Sequence, residues 1–439
     1  MEEKAKKITG EIEISNSFFV EIKNSASSVE SLKNKLSRAP VDNVSLLLDL
    51  IMGGGVVLRA SDLHVEAEEE GAKIRARIDG VLQDVFFLNR KTYENILSRV
   101  KLLSGIKLNI TQKSQDGRFS VSFPNTIIKD SRHASTETRK SAEIRVSTLP
   151  SEHGETIVLR ILNPETLADL ESLGLTLETK QILEKEIKKP NGMIIVTGPT
   201  GSGKTTTLYA VLKKIRKPEI KIITIEDPVE YRLGGISQTE VHKEKGYDFA
   251  NGLRSIVRQD PDVILVGEVR DLETAQISLQ AALTGHLVLT TLHTNDAAGA
   301  VARLQALGEQ AHNIAPALNL IIAQRLVRKV CSCAVKEKVS QEDYQKISKE
   351  IDSFSPESEI LKHQGCPSCD ETGYRGRIAV FEFLVIDDEM ENFLMTNPSS
   401  VDLKKKAQSK GMKTMYQYGL LKVLEGETTL EELERVVVE

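Results

Sequence analysis

No run of about eighteen consecutive apolar residues, the length a membrane-crossing helix needs, occurs anywhere in the chain. The first residues, Met1 to Lys7, are charged with no apolar core behind them, so no secretory signal is visible either. Both absences make the cytoplasm the expected site of action. An excess of one charge is also missing: 58 lysines and arginines are interspersed with 63 aspartates and glutamates, for a formal net charge of -5. That mixture supplies no basic stripe of the kind that tracks a phosphodiester backbone, so nucleic acid is not the expected partner. Cysteine is scarce, and the four present all fall late in the chain. Their clustering argues against a disulfide framework in a reducing compartment and suggests a metal instead. What the 439 residues do hold is 40% hydrophobic content, enough for ordinary cores in more than one domain.

The chain is organised around Gly198, Pro199, Thr200, Gly201, Ser202, Gly203, Lys204 and Thr205, followed by Thr206. Ahead of them, Met193 to Val196 form a short apolar run expected of a buried parallel strand. Behind them, Leu208, Val211, Leu212 and Ile215 recur at i, i+3, i+4 and i+7 as one apolar helical stripe. Glycines between a strand and a helix let successive backbone N–H groups converge on phosphate oxygens. Lys204 supplies a point charge, Thr205 offers a hydroxyl to Mg²⁺, and the helix N-terminus adds its partial positive charge. The expected ligand is a nucleotide.

Residues 1–40 are polar, with weak periodicity and no candidate chemistry. An apolar helical pattern from Val44 to Met52 then runs into Gly53-Gly54-Gly55, which reads as a turn. In Lys73 to Leu82, Ile74, Ala76 and Ile78 alternate with Arg75, Arg77 and Asp79, a strand with one core face and one charged face. A helix carrying Ile96, Val100, Leu102 and Leu103 follows, and Gln115 to Phe119 read as a turn feeding a strand. Residues 124–141 are expected to be a hairpin tip. Strands at Ala142–Val146 and Thr156–Leu162 complete an α+β module. From about Gly174 to Val330 strands and helices alternate, as in a parallel sheet with crossover helices, with strands expected at 193–197, 221–225, 263–266 and 287–291.

Ligands of open α/β sheets collect at the carboxyl ends of the strands. There the sequence places Glu226, Asp227 and Glu230 after one strand and Gly267, Glu268 and Arg270 after the next. One carboxylate is suited to orient or deprotonate water, the other to hold Mg²⁺ directly or through its waters. Acids at strand ends are often merely solvated. Two such ends beside a phosphate loop favour an active site. His286 and His293 bracket the strand Leu287 to Thr291, where an imidazole N–H is suited to sense a terminal phosphate or simply to pin the strand end.

These boxes resemble those of the type II secretion and type IV pilus assembly ATPases. The resemblance is carried by Gly198 to Thr205, Thr224 to Tyr231, Arg258 to Asp262 running into Gly267 to Asp271, and Leu283 to His286 through Leu292 to Asn295. Upstream, Ser61 to Glu66, Arg77 to Gly80, Gln115 to Arg118 and Arg145 to Pro150 resemble that family's second N-terminal domain. The resemblance implies a homohexameric ring hydrolysing ATP, each subunit with a PAS-like α+β domain and a RecA-like P-loop domain with a parallel sheet, ATP lying between them. It implies catalytic roles for Glu226 on the water and Glu268 on Mg²⁺, exchangeable between the two, with Lys204 and His293. Arg118, Arg145 and Arg160 fall where the family directs positive charge at phosphates, and a solvated or salt-bridged strand face is the competing reading.

Cys331, Cys333, Cys366 and Cys369 form two close pairs, a pattern suited to tetrahedral Zn²⁺. Assembly-class members of the family carry such a tetracysteine site. The first pair here is C-x-C, with Ala334 where the family places cysteine, so His363 is an alternative ligand and four buried thiols an alternative state. The expected organisation is a polar segment at 1–40, the PAS-like domain at 41–163, the RecA-like core at 173–330, a small cysteine-rich insertion at 331–380 and a helical C-terminus at 381–439. The polar start leaves no room for the full first N-terminal domain with which relatives dock. The implied function is assembly of pilus or pseudopilus fibres through an inner-membrane platform protein, peripheral to the membrane. A RecA-like nucleic-acid motor, a DNA-uptake pilus ATPase and a scaffold that binds nucleotide without turnover are the alternatives.

Overall fold

The structure, a computed structural model, describes residues 10–26, 28–124, 139–163, 168–351 and 354–437. It divides into two units, one of Met1–Thr166 with Gly365–Gly373 and the other of Leu167–Gln364 with Tyr374–Glu439.

The first unit begins with β1 (Glu11–Glu13), α1 (Asn16–Ser25), α2 (Val29–Arg38) and α3 (Val44–Val57). It continues through β2 (Asp62–Glu68), β3 (Gly71–Ile78), β4 (Val81–Asn89) and α4 (Arg90–Ser104) to β5 (Gln115–Pro124), β6 (Arg139–Ser151) and β7 (Gly154–Leu162). Its sheet runs β1-β5-β6-β7-β2-β3-β4. All neighbours are antiparallel except β1 against β5. The expected alternation in β3 is present, with Ala72, Ile74 and Ala76 buried between half-exposed Lys73, Arg75 and Arg77. Asp79 and Gly80, both at positive φ, close the two-residue hairpin into β4.

Three local expectations are corrected. Residues 11–38, read as polar with weak periodicity, hold a short strand and two capped helices. Ser15 and Ser28 cap α1 and α2, which bury only Phe19 and Ile22 and Val29, Leu32 and Leu36 respectively, a core stripe too thin to stand out in a polar stretch. Gly53-Gly54-Gly55 are not a turn, since α3 runs through them. A Cβ at Gly53 would sit 2.7 Å from Ile22, one at Gly54 2.6 Å from Leu32, and one at Gly55 3.0 Å from Leu63 and Ile161. The glycines cost the helix about 1 kcal/mol each against alanine, and close packing of α1, α2 and the sheet offsets that cost. Gln115 to Phe119 likewise belong to β5 rather than to a turn. Gly117 is glycine because a Cβ there would lie 2.4 Å from the Ser104 carbonyl oxygen. Of the stretch expected as a hairpin tip, 124 and 139–141 are strand and 125–138 lie outside the described residues.

The second unit runs α5 (Leu177–Glu186), β8 (Gly192–Thr197), α6 (Lys204–Ile215), β9 (Ile222–Glu226), β10 (Ser237–Glu240), α7 (Phe249–Val257), β11 (Val263–Val266), α8 (Leu272–Leu283) and β12 (Leu287–Leu292). It continues with α9 (Ala297–Ala306), α10 (Ala311–Ile314), β13 (Leu318–Val330), β14 (Val335–Lys338), α11 (Gln341–Ser348), β15 (Glu359–Lys362) and β16 (Tyr374–Val385). It closes with α12 (Asp388–Met395), α13 (Ser400–Ser409), α14 (Met415–Leu424) and α15 (Leu430–Val436). The sheet order is β10-β9-β11-β12-β8-β13-β16. All pairings are parallel but β13 with β16. Every residue of β8, β9, β11 and β12 is buried, which is why each reads as a continuous apolar run rather than an alternation. Because these four strands are parallel, their carboxyl ends share one edge of the sheet, and the loops leaving that edge carry the polar residues.

Candidate active site

The phosphate loop fills the short connection from β8 to α6. Gly198, Gly201 and Gly203 adopt φ of +151°, +79° and +88°, backbone that side chains rarely tolerate, and Gly203 is the N-cap of α6. Pro199 and Thr200 are exposed, Ser202 is buried, and Thr205 and Thr206 lie half-buried in the first helical turn. Lys204 Nζ donates to the carbonyls of Gly198 at 2.8 Å and Pro199 at 3.1 Å. Burial lowers the pKa of this ammonium, and the charge of Glu268 acts in the opposite sense. The loop therefore presents backbone donors, a cation and a helix N-terminus together, the requirements for holding a polyphosphate.

Adjacent strand tips are tied to this loop. The Thr197 hydroxyl donates to the Leu292 carbonyl at 3.1 Å and accepts the Thr294 N–H at 2.9 Å. Thr291 Oγ1 donates to the Gly267 carbonyl at 2.7 Å, and the Gly267 N–H to that of Ile225 at 2.8 Å. Gly267 is glycine because a Cβ would press on the Glu226 backbone at 3.3 Å.

The two glutamates occupy different environments. Glu226 ends β9 and is only 4% exposed. Its carboxylate accepts from Thr224 Oγ1 at 2.6 Å, from Gln238 Nε2 at 3.3 Å and from the Tyr209 hydroxyl. Burial raises its pKa and these donors partly restore it. Burial beside Glu226 also pushes the Tyr209 phenol far up, so it stays a donor. Glu268 follows β11 and is more open. Its oxygens lie 2.7 Å from Arg270 Nε and 3.3 Å from His293 Nε2. Burial, and secondarily the charge of Lys204, lowers the pKa of His293, leaving a neutral imidazole at physiological pH. Lys204, Glu226, Glu268 and His293 thus gather on one sheet edge. His286 does not: it precedes β12, at the opposite end of that strand, where its Nδ1 lies 3.0 Å from the Ala281 carbonyl. It pins a helix end and is remote from the loop.

In the first unit, strand register aligns Arg77, Asp62, Arg160, Arg145 and Arg118 as successive cross-strand partners on β3, β2, β7, β6 and β5. Asp62 is the one carboxylate in this row. Its oxygens lie 3.0 Å from Arg160 Nε and 3.6 Å from Arg77 Nε, while Arg145 Nε lies 3.5 Å from Glu143. Four guanidinium groups against one acid leave the row net positive.

The four cysteines also come together. The Sγ atoms of Cys331, Cys333, Cys366 and Cys369 all lie within 4.8 Å of one another. A tetrahedral zinc–thiolate site has sulfurs about 3.8 Å apart, given Zn–S bonds of about 2.3 Å, and Cys366 and Cys369 are 3.6 Å apart. Backbone N–H groups of Cys366 and Gly373 donate to Cys369 Sγ at 3.3 and 3.2 Å, the outer-shell bonds that thiolate ligands use. The C-x-C spacing is therefore compatible with a four-sulfur site. His363 stacks on Tyr374 at 5.2 Å and is not among the clustered groups.

The reading of the sequence missed the partners that hold these residues, namely Tyr209, Thr224, Gln238 and Thr197. It also missed Arg325, whose Nη2 donates to the backbone and side-chain oxygens of Asn295 at 3.2 Å each. Thr224 falls within the stretch Thr224 to Tyr231 but reads there only as strand; nothing local distinguishes the others.

Among the described residues no helix is long and apolar enough to cross a membrane. The type II secretion system protein E of Xanthomonas campestris is 42% identical over 94% of this chain and 70% of its own length. The type IV pilus assembly ATPase PilB of Thermus thermophilus is 41% identical over 85% of this chain and 41% of its own length. The crystal structure of the pilus retraction motor PilT with bound ADP is 28% identical, with a TM-score of 0.58 over 88% of this chain and 95% of that one. The family described as type II/IV secretion system protein matches residues 37–435, and the chain, an α/β protein with a phosphate loop and a cysteine cluster, belongs to that family of ATPases.

Proposed function

We propose that this chain is a cytoplasmic, homohexameric ATPase that converts ATP hydrolysis into assembly of pilus or pseudopilus fibres, acting on an inner-membrane platform protein from the cytoplasmic face. The observation that carries the reading is the meeting of Lys204, Glu226, Glu268 and His293 on one edge of a parallel sheet, in a chain 42% identical to a type II secretion system protein E. In this reading the glycines of 198–203, Lys204 and Thr206 hold the phosphates. Thr205 and Glu268 hold Mg²⁺, which supplies neutralisation of charge on the phosphoryl oxygens. Glu226 takes or orients the proton of the attacking water. Burial raises its pKa and so strengthens it as a proton acceptor once ionised. His293, neutral and beside Glu268, reports the terminal phosphate through its N–H. Arg145 and Arg160 supply positive charge to the transition state. Cys331, Cys333, Cys366 and Cys369 hold structural Zn²⁺ as thiolates.

The decisive experiment measures phosphate release and assembly mass of the purified chain with and without DNA at several salt concentrations, alongside a cross-linked pull-down from membranes. Six-chain particles, DNA-independent turnover and capture of an integral membrane protein are expected. DNA-stimulated turnover falling steeply with salt points instead to a nucleic-acid motor.

A further inference from the structure

We propose that Gln324, on β13 and 122 residues beyond Ser202, is the positioning residue that aims the phosphate loop's backbone donors. The inference rests on Gly198–Thr205 binding nucleotide. Its side chain is only 1% exposed, and both ends of its amide are engaged by the loop–helix junction. Gln324 Nε2 donates to the Ser202 carbonyl at 2.8 Å, and Oε1 accepts from the Thr207 hydroxyl at 2.7 Å. A carbonyl oxygen can only accept, so the amino end faces Ser202 and the oxygen faces Thr207. The amide has one possible orientation.

This contact has a directional consequence. A trans peptide is planar, so the C=O of Ser202 and the N–H of Gly203 point in opposite directions. With the Ser202 oxygen held on β13, the Gly203 N–H faces away from that strand, towards the loop's other side. Gly201, two residues earlier, is exposed, and a Cβ there would meet nothing within 4 Å. The Thr207 bond does the same for the helix, fixing the first turn of α6 to the same amide. Two glycines of the motif also answer to this residue. A Cβ on Gly203 would lie 2.8 Å from Gln324 Nε2, and one on Gly198 would lie 2.5 Å from the Gln324 backbone oxygen. β13 therefore approaches the loop as closely as the backbone permits, and a single neutral side chain sets the direction of a phosphate-facing N–H.

The test compares wild type, Gln324→Met and Gln324→Glu as full-length chains, measuring Kd for ADP and, without nucleotide, the unfolding midpoint. Methionine keeps the length but makes no hydrogen bond. Glutamate keeps an acceptor for Thr207 and sets a second acceptor against Ser202. The expected result is at least a tenfold weaker ADP affinity for the methionine variant, equivalent to about 1.4 kcal/mol, and a larger loss for the glutamate variant if it folds. Undiminished ADP affinity in folded Gln324→Met, whatever its midpoint, overturns the proposal and leaves Gln324 a packing residue. Failure of the wild type to bind ADP instead removes the nucleotide reading itself, and the proposal with it.

Discussion

Replacing Tyr209 by phenylalanine removes one hydroxyl and nothing else, and that hydroxyl donates to the carboxylate of Glu226. Glu226 is 4% exposed, and its pKa is held up by burial and drawn back by Thr224, Tyr209 and Gln238 in that order. A hydrogen bond to an ionised group is worth about 1.5–3 kcal/mol, and one pKa unit corresponds to about 1.4 kcal/mol. Losing the Tyr209 bond therefore disfavours the ionised form and raises the Glu226 pKa further, with Thr224 and Gln238 still in place to keep the effect at the lower end of that energy range. Glu226 acts as a base only when ionised, so activity is lost as pH falls through its pKa. In Tyr209→Phe the acidic limb of kcat/KM for ATP moves to higher pH, lowering kcat/KM about tenfold on that limb, the equivalent of the lower end of the hydrogen-bond energy, while the plateau above it and the affinity for ADP stay within about twofold. Steady-state phosphate release from about pH 5 to pH 9 reads this directly. An acidic limb in the same place as wild type, or an equal loss at every pH, refutes the assignment of Glu226 as the base positioned by Tyr209.

Glu226 also carries a stability cost whose sign follows from its raised pKa. Above its folded pKa the buried carboxylate is charged and destabilising; below its unfolded pKa the carboxyl is neutral in both states and the cost is gone. Glu226→Gln is therefore more stable than wild type at neutral and alkaline pH, with the gain vanishing into the acid range, as thermal midpoints across pH will show. Gly54→Ala, a favourable change by helix propensity alone, destabilises the chain by about 1–3 kcal/mol because its methyl would lie 2.6 Å from Leu32; a raised denaturation midpoint contradicts the close-packing account of α3. Metal analysis of the reduced, full-length chain will find one zinc per chain, and Cys366→Ser will lose it. Wild type without zinc leaves the cluster as four thiols.

The residues legible in the sequence were those whose meaning is local. Gly198 to Thr205 announce their loop because strand, glycines and helix follow one another within twenty or so positions, and Glu226 and Glu268 because each sits at the end of an apolar run. Their supports are not local. Ser202 and Gln324 lie 122 positions apart, and Glu226 and Tyr209 are linked only once α6 has packed on the sheet. Strand pairing had the same effect in the first unit: Arg118, Arg145 and Arg160 could be named singly, but their alignment with Asp62 and Arg77 depends on register. Where local rules misled, packing was the reason. Gly53 to Gly55 read as a turn because glycine usually breaks helices, whereas here it lets Ile22, Leu32 and Leu63 approach the helix backbone.

Single-turnover hydrolysis with wild type and Glu268→Gln asks whether ATP held at 198–206 is cleaved by acids from adjacent strand tips. Both proteins will bind ATP, and only wild type will release phosphate. Undiminished phosphate release by Glu268→Gln would remove this residue from the chemistry.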